Sequence, residues 1–334
     1  MVKDRLPVLF YKPSYTLIAP LLEKEFPQLD AFTMDNDGAI YHHGKQIDST
    51  QADPEIAWAS HRLTVSPILM RFLDWVTQSK TVRWIQTPSA GTDNPIFAKL
   101  IAQGIQVTRS DEAGVGIAEF IMARVMEAFH NPHRLAALQA NRDWQKIDFR
   151  EISGTTWLVL GFGNIGTSVG RRARAFGARV IGVRRNANPS DAADLVITPD
   201  EVKTYLNQAD VVVSTLPGSS ETEGLINESF LKLMKKDSVF VNIGRGSVVD
   251  EEALLRALDR DTPAFAALDV FRTEPLPPES PFWRHPKVRV SAHFSIGLEG
   301  AAKRGQDMFI RNLRRYIAKQ PLELLVDAKL LDRK

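Results

Sequence analysis

The chain has 334 residues, of which 44% are hydrophobic and 25% charged, so it is an ordinary globular sequence too long for one core, and two domains are expected. A formal net charge of +2 gives no case for nucleic acid or an anionic membrane as partner. With no cysteine, disulfides, thiolate metal sites and a cysteine nucleophile are excluded. A first segment without a signal-like core, and no run near the roughly 18 apolar residues of a membrane span, make the cytoplasm the default location.

Pro7 to Tyr11 (PVLFY) reads as a first strand, and Tyr15 to Phe26 as a helix that stops at Pro27. The stretch Tyr41-His42-His43-Gly44 reads as a polar hairpin rather than a metal site, and no metal is expected. Ile56 to Ser60 is a buried strand, Pro67 to Gln78 a helix, and Val82 to Thr87 a strand ending in the turn PSAGTDN. Ile105 to Ser110 is another strand. Alternating strands and helices predict a parallel sheet covered on both faces. Asp111 then caps a long apolar helix over Ala113 to His130, and a more polar segment, 131–150, leads to the next strand.

Residues 156–185 read TWLVLGFGNIGTSVGRRARAFGARVIGVRR. A short apolar run is followed by Gly161, Gly163 and Gly166 in G-x-G-x-x-G spacing, a helical pattern, and a second apolar run. This βαβ unit is the dinucleotide-binding arrangement. Gly161 permits the turn, Gly163 lets the backbone approach a pyrophosphate, and Gly166 lets helix and strand pack closely. Asn164 and Ile165 open the helix, whose N-terminus favours phosphate. NAD-binding units place an acid at the end of the second strand. Here Arg184 and Arg185 stand there. A guanidinium fork suits a 2′-phosphate, so NADP(H) is expected over NAD(H); two solvated surface arginines are the alternative.

Beyond the unit, Thr198 to Leu206 carries helix-start signals. Strands are expected over Val211 to Leu216, Val239 to Ile243, Ala264 to Val270 and Val288 to Ser291, with helices over Glu228 to Lys235 and Asp250 to Leu258. A final helical pattern, Gly297 to Lys319, is too short for a domain and is expected to return to the first one. The predicted division is therefore 1–104 with 294–334, and 105–293 as one doubly wound, Rossmann-type dinucleotide domain. Ligands in such sheets bind beyond the carboxyl ends of the strands. There the chain places Arg245, Asp269, Glu274 and His293, and after strand 82–87 the loop Ser89-Ala90-Gly91. An Arg to bind an anionic substrate, a His to move a proton, and a Glu to orient that His and raise its pKa form one working set.

The stretches VNIGRGSVVDEEAL and ALDVFRTEPLPPESPFWRHPKV, followed by His293, resemble the D-isomer-specific 2-hydroxyacid dehydrogenases over most of the chain from Trp84 onward. The resemblance implies a flavodoxin-like substrate domain beside the Rossmann domain, and reversible exchange of a hydride between a nicotinamide cofactor and a 2-oxo acid, giving the D-2-hydroxy acid. It assigns Arg245 to the substrate carboxylate and carbonyl, Glu274 and His293 to acid–base work, and Ser89, Ala90 and Gly91 to carboxylate binding. It places Asp269 near the nicotinamide amide, with Leu216, Pro217, Ile243 and His293 also beside the cofactor. Arg184 is similar to the NADP-preferring branch that includes glyoxylate and hydroxypyruvate reductases. A homodimer is the family expectation. Ala292 departs from the family, where Pro commonly precedes the His. A rival reading is a dinucleotide sensor or corepressor-like scaffold without turnover.

Overall fold

A computed structural model describes residues 5–89, 91 and 95–327. They form two compact units: one takes the described residues through Glu112 and from Leu298 onward, the other Ala113–Gly297. In the first unit the chain runs β1 (Leu6–Tyr11), α1 (Lys12–Glu25), β2 (Leu29–Met34), β3 (Ile40–His42), β4 (Lys45–Ile47), β5 (Ile56–Trp58), α2 (His61–Thr64), α3 (Leu69–Gln78), β6 (Trp84–Gln86), α4 (Pro95–Ala102) and β7 (Gln106–Thr108). The strands form one sheet in the order β4-β3-β2-β1-β5-β6-β7. It is parallel from β2 to β7, while β3 and β4 form an antiparallel hairpin at its edge.

All six residues of β1 are buried because it lies in the middle of that sheet with both faces covered. Successive side chains point to opposite faces. Leu9 and Tyr11 join a cluster with Phe72 and Val76 of α3 and Leu100 of α4. Val8 and Phe10 join the other, with Ile18 and Leu22 of α1.

The second unit contains α5 (Gly114–His130), α6 (Pro132–Ala140), β8 (Thr156–Leu160), α7 (Asn164–Ala175), β9 (Arg179–Val183), β10 (Leu195–Ile197), α8 (Val202–Tyr205), β11 (Val211–Ser214), α9 (Glu228–Leu233), β12 (Val239–Asn242), α10 (Glu251–Leu258), β13 (Phe265–Leu268) and β14 (Val288–Val290). Its strands pair in parallel in the order β10-β9-β8-β11-β12-β13-β14. Strand order reverses between β8 and β11, the topological switch point at which open α/β sheets bind ligands. Trp157 and Val159 pack with Ile121 and Val125 of α5 and Val169 of α7. Leu158 and Leu160 pack on the opposite face with Phe230 of α9 and Leu254 of α10. At the end of the sheet away from the switch-point loops, Asp210 accepts the Thr156 N–H at 2.8 Å and pairs with Lys235 at 2.6 Å and with Arg150.

The chain then returns to the first unit as α11 (Leu298–Ile317), where Phe309, Ile310 and Leu313 complete the cluster around Phe10, Trp58 and Trp84. The first unit therefore runs to Glu112, past the expected boundary at 104/105, and resumes at Leu298 rather than 294. The first of these shifts is caused by β7, which hydrogen-bonds to β6 and so completes the first sheet instead of opening the second.

Candidate active site

The carboxyl ends of β8, β11, β12, β13 and β14 lie at one end of the second unit's sheet, and each leads into a loop that carries a candidate residue. β8 is followed by the glycine turn. Gly161 has φ +87°, a left-handed conformation that favours glycine, and a Cβ there would fall 2.9 Å from Thr215 Oγ1. That hydroxyl donates to the Gly161 carbonyl at 2.6 Å, tying the turn to the end of β11. Gly166, in the first turn of α7, lies against the Gly161 carbonyl, 2.6 Å from where a Cβ would sit. Packing thus accounts for both glycines. It does not account for Gly163, where an added Cβ would meet nothing within 4 Å. Gly163 and Asn164 are exposed at the start of α7, where the first N–H groups of a helix lack intrahelical partners. Ile165 is half-buried against the core.

Arg184 directly follows β9, and its guanidinium is turned onto its own loop. One terminal nitrogen donates to the carbonyls of Asn188 and Pro189, the latter at 3.4 Å. Its Nε is buried and has no hydrogen-bond partner among the described residues, a costly arrangement unless a ligand accepts from it. Arg185 is exposed and pairs at 2.6 Å with Glu221, itself exposed. Such a surface pair is worth little and yields easily to a stronger anion.

Arg245 sits in the loop after β12. Asn242, the last residue of that strand, is buried and fixes the loop from both sides: its Nδ2 donates to the Arg245 carbonyl at 3.0 Å and its Oδ1 accepts from Gly244 N–H at 3.1 Å. The loop presses on the one that follows β13. A Cβ on Gly246 would fall 1.9 Å from the Phe271 carbonyl carbon, so only glycine fits. The Arg245 side chain is half-buried, with its stem near Gly218, and its Nη1 donates to the Gly244 carbonyl at 2.8 Å.

His293 and Glu274 meet. The His293 Nδ1 lies 2.9 Å from Glu274 Oε2, and the other Glu274 oxygen accepts from Phe271 N–H at 3.0 Å. The carboxylate is therefore fixed by the loop after β13 and in turn fixes the imidazole. The two side chains are 44% and 37% exposed, so the pair remains open to a ligand. His293 has φ +51°, and its N–H donates to the Asp269 carbonyl at 2.8 Å.

The buried carboxylate of Asp269, a residue expected near the nicotinamide, engages the loop of His293. Oδ1 accepts from Ser291 Oγ at 2.5 Å and from Phe294 N–H at 3.2 Å, and Oδ2 accepts from Ser295 N–H at 3.2 Å. It builds the turn that presents the histidine. Neither this role nor that of Asn242 emerges from motif reading. The signal for both is a polar residue within or at the end of a continuous apolar strand, which must find partners when buried.

Other expected residues are less engaged. Leu216 is half-buried and Pro217 exposed at the end of β11, while Ile243 is buried in the core. Phe294, which directly follows His293, is exposed and edge-on to Phe120 at 6.1 Å. In the first unit, Ser89 and Gly91 follow β6, with Ser89 Oγ donating to the Gly91 carbonyl at 2.9 Å. Ala90 lies outside the described residues. No helix among the described residues is long and apolar enough to cross a membrane.

Residues 122–295 match the family described as D-isomer specific 2-hydroxyacid dehydrogenase, NAD binding domain. The glyoxylate reductase of Aeropyrum pernix is 33% identical over 72% of this chain and 75% of its own. The glyoxylate/hydroxypyruvate reductase A of Citrobacter koseri is 27% identical over 86% of this chain and 88% of its own. Among solved structures, a D-isomer specific 2-hydroxyacid dehydrogenase family protein from Aeromonas salmonicida superposes with a TM-score of 0.79 at 26% identity, covering 98% of this chain and 100% of that one.

Proposed function

The chain belongs to the D-isomer-specific 2-hydroxyacid dehydrogenases, and from that premise we propose that it uses NADPH to reduce a small 2-oxo acid, of the glyoxylate and hydroxypyruvate kind, to the D-2-hydroxy acid. The observation that carries this reading is the His293–Glu274 pair, on loops that share the glycine turn's end of the sheet with Arg245. Two relatives named as reductases of these acids support the substrate class. The D configuration follows the family.

Each residue has one task in this reading. When bound, a reduced nicotinamide supplies the hydride that the carbonyl carbon accepts. The Arg245 guanidinium matches a carboxylate in shape and charge and stabilises the negative charge that builds on the carbonyl oxygen. With Nδ1 of His293 engaged by Glu274, Nε2 is the nitrogen left to deliver a proton to that oxygen. Hydride on carbon and proton on oxygen complete the alcohol.

The residues present suit a dinucleotide with a 2′-phosphate. Gly163 is a glycine that protein packing does not require, and a pyrophosphate needs the room it leaves. The buried, unpartnered Nε of Arg184 and the weakly held Arg185 supply donors and positive charge where a 2′-phosphate would lie. Arg184→Asp is expected to shift the ratio of kcat/KM for NADPH over NADH by roughly tenfold or more toward NADH, the worth of one charge-assisted hydrogen bond. An unchanged ratio removes the case for NADPH.

The proposal is tested by following loss of reduced nicotinamide with a panel of 2-oxo acids, NADPH and NADH in parallel. Glyoxylate and hydroxypyruvate with NADPH are the expected best pairs. Silence across the panel with tight cofactor binding would leave a dinucleotide-binding protein without turnover.

A homodimer is part of the same reading. Helix α6 buries none of its residues, and Leu135, Trp144 and Phe149 are exposed along 131–150, Trp144 by 97%. A large aromatic left in water on an otherwise polar arm is expected of a surface that a second copy covers. Light scattering should give twice the chain mass, and Trp144→Ser should shift the protein toward the monomer. A wild-type monomer would end this part of the proposal.

A further inference from the structure

The first unit carries a cluster that the dehydrogenase chemistry does not use. Asp30 is near the start of β2, His42 ends β3, and His43 begins the turn to β4. β2 and β3 pair antiparallel with Phe32 opposite His42, so Asp30, two residues before Phe32, faces the same side of the sheet. The His42 ring lies flat on Phe32, with centroids 4.2 Å apart and planes 3° from parallel. In a continuing strand His43 would point to the opposite face. Instead its φ of +48° brings its ring back over His42, centroid to centroid 4.0 Å. Left-handed backbone is strained for histidine, and here it puts both imidazoles on one carboxylate. His42 Nε2 is 2.7 Å and His43 Nε2 3.5 Å from the same oxygen, Asp30 Oδ1.

From this convergence we propose that Asp30, His42 and His43 bind a divalent transition-metal ion of the zinc or nickel class. Ligand atoms about 2.0–2.1 Å from a tetrahedral ion sit about 3.4 Å from each other. The three donor atoms already lie within 4.8 Å of one another, so small side-chain rotations close the site. Two imidazoles and one carboxylate select borderline ions over magnesium or calcium, which take oxygen ligands. Arg5 donates to the other oxygen of Asp30, holds Asp53 at 3.0 and 3.1 Å, and lies over the Phe32 ring, so Oδ1 is aimed at the histidines. His43 is exposed, and a surface cleft lined in part by Asp30, Tyr41 and His43 gives an ion its way in. The ion clips the edge hairpin of the sheet to β2.

The full chain, without a histidine tag and stripped by chelator, is titrated calorimetrically with zinc chloride and with nickel chloride. One ion should bind per chain, and magnesium chloride should give no saturable heat. His43→Asn tolerates the left-handed backbone and changes an exposed side chain, so the fold should survive. It should weaken zinc binding at least about tenfold and abolish the rise in melting temperature that zinc causes in the wild type. His133→Ala, beside Glu127 in the other unit, should change neither. The proposal is overturned if neither ion gives saturable heat, if His43→Asn and His42→Ala both bind as the wild type does, or if the loss follows His133 instead.

Discussion

His293→Ala should lower kcat by about 10²–10⁴-fold, the usual worth of a positioned general acid, while the KM for the 2-oxo acid changes little, because Arg245 still binds the carboxylate. Alanine brings one complication. His293 sits at φ +51°, which alanine resists and asparagine tolerates. His293→Asn is therefore the companion variant: its backbone keeps the hydrogen bond to the Asp269 carbonyl, yet it has no proton to give. Both variants should fail alike in steady-state turnover while still binding NADPH. Turnover within about threefold of wild type in either would remove His293 from the chemistry.

Arg245→Lys separates charge from shape. Lysine keeps the positive charge but loses the planar fork, and a charged hydrogen bond is worth about 1.5–3 kcal/mol, so the KM for the 2-oxo acid should rise roughly 10- to 100-fold. NADPH affinity should stay within about twofold, because Arg245 acts on the substrate rather than the dinucleotide. The loop should hold its form, since Asn242 fixes it through backbone atoms. Fluorescence titration of NADPH beside steady-state kinetics distinguishes the two. An unchanged KM would refute the carboxylate assignment, and a parallel loss of NADPH binding would point to a disturbed loop.

The second unit was legible because its central strands are buried on both faces, so each reads as an unbroken apolar run between turn residues. The first unit was harder. β2 passes unnoticed because it is mixed in polarity, and β3 and β4 show in the sequence only as the polar hairpin at Tyr41–Gly44, because both are short; β4 is only Lys45–Ile47. β10 escapes for the same reason, as a three-residue edge strand. Helix α6 has no buried face and so no apolar period to read. At the site, residue types and strand ends brought Arg245, Glu274 and His293 together on paper, and the structure supplies the 2.9 Å contact between Glu274 and His293. The sequence could not show that Asp269 helps build the histidine's turn, or that Arg184 folds onto the carbonyls of its own loop. Both depend on where backbone oxygens and N–H groups end up.

The place of α11 bears on how this protein is made. Phe309 stacks on Trp58 and Trp84, at centroid separations of 4.8 and 5.7 Å, so a wall of the first unit's core is synthesised only after the whole of the second unit. A ribosome delivers residues in order at about 5–20 per second. The second unit, continuous in sequence, has all its strands before α11 emerges. The first unit waits, with the two tryptophans bare on one side of an unfinished sheet. The domain that begins first is the one completed last, and that interval is when the nascent chain is most open to aggregation or to a chaperone.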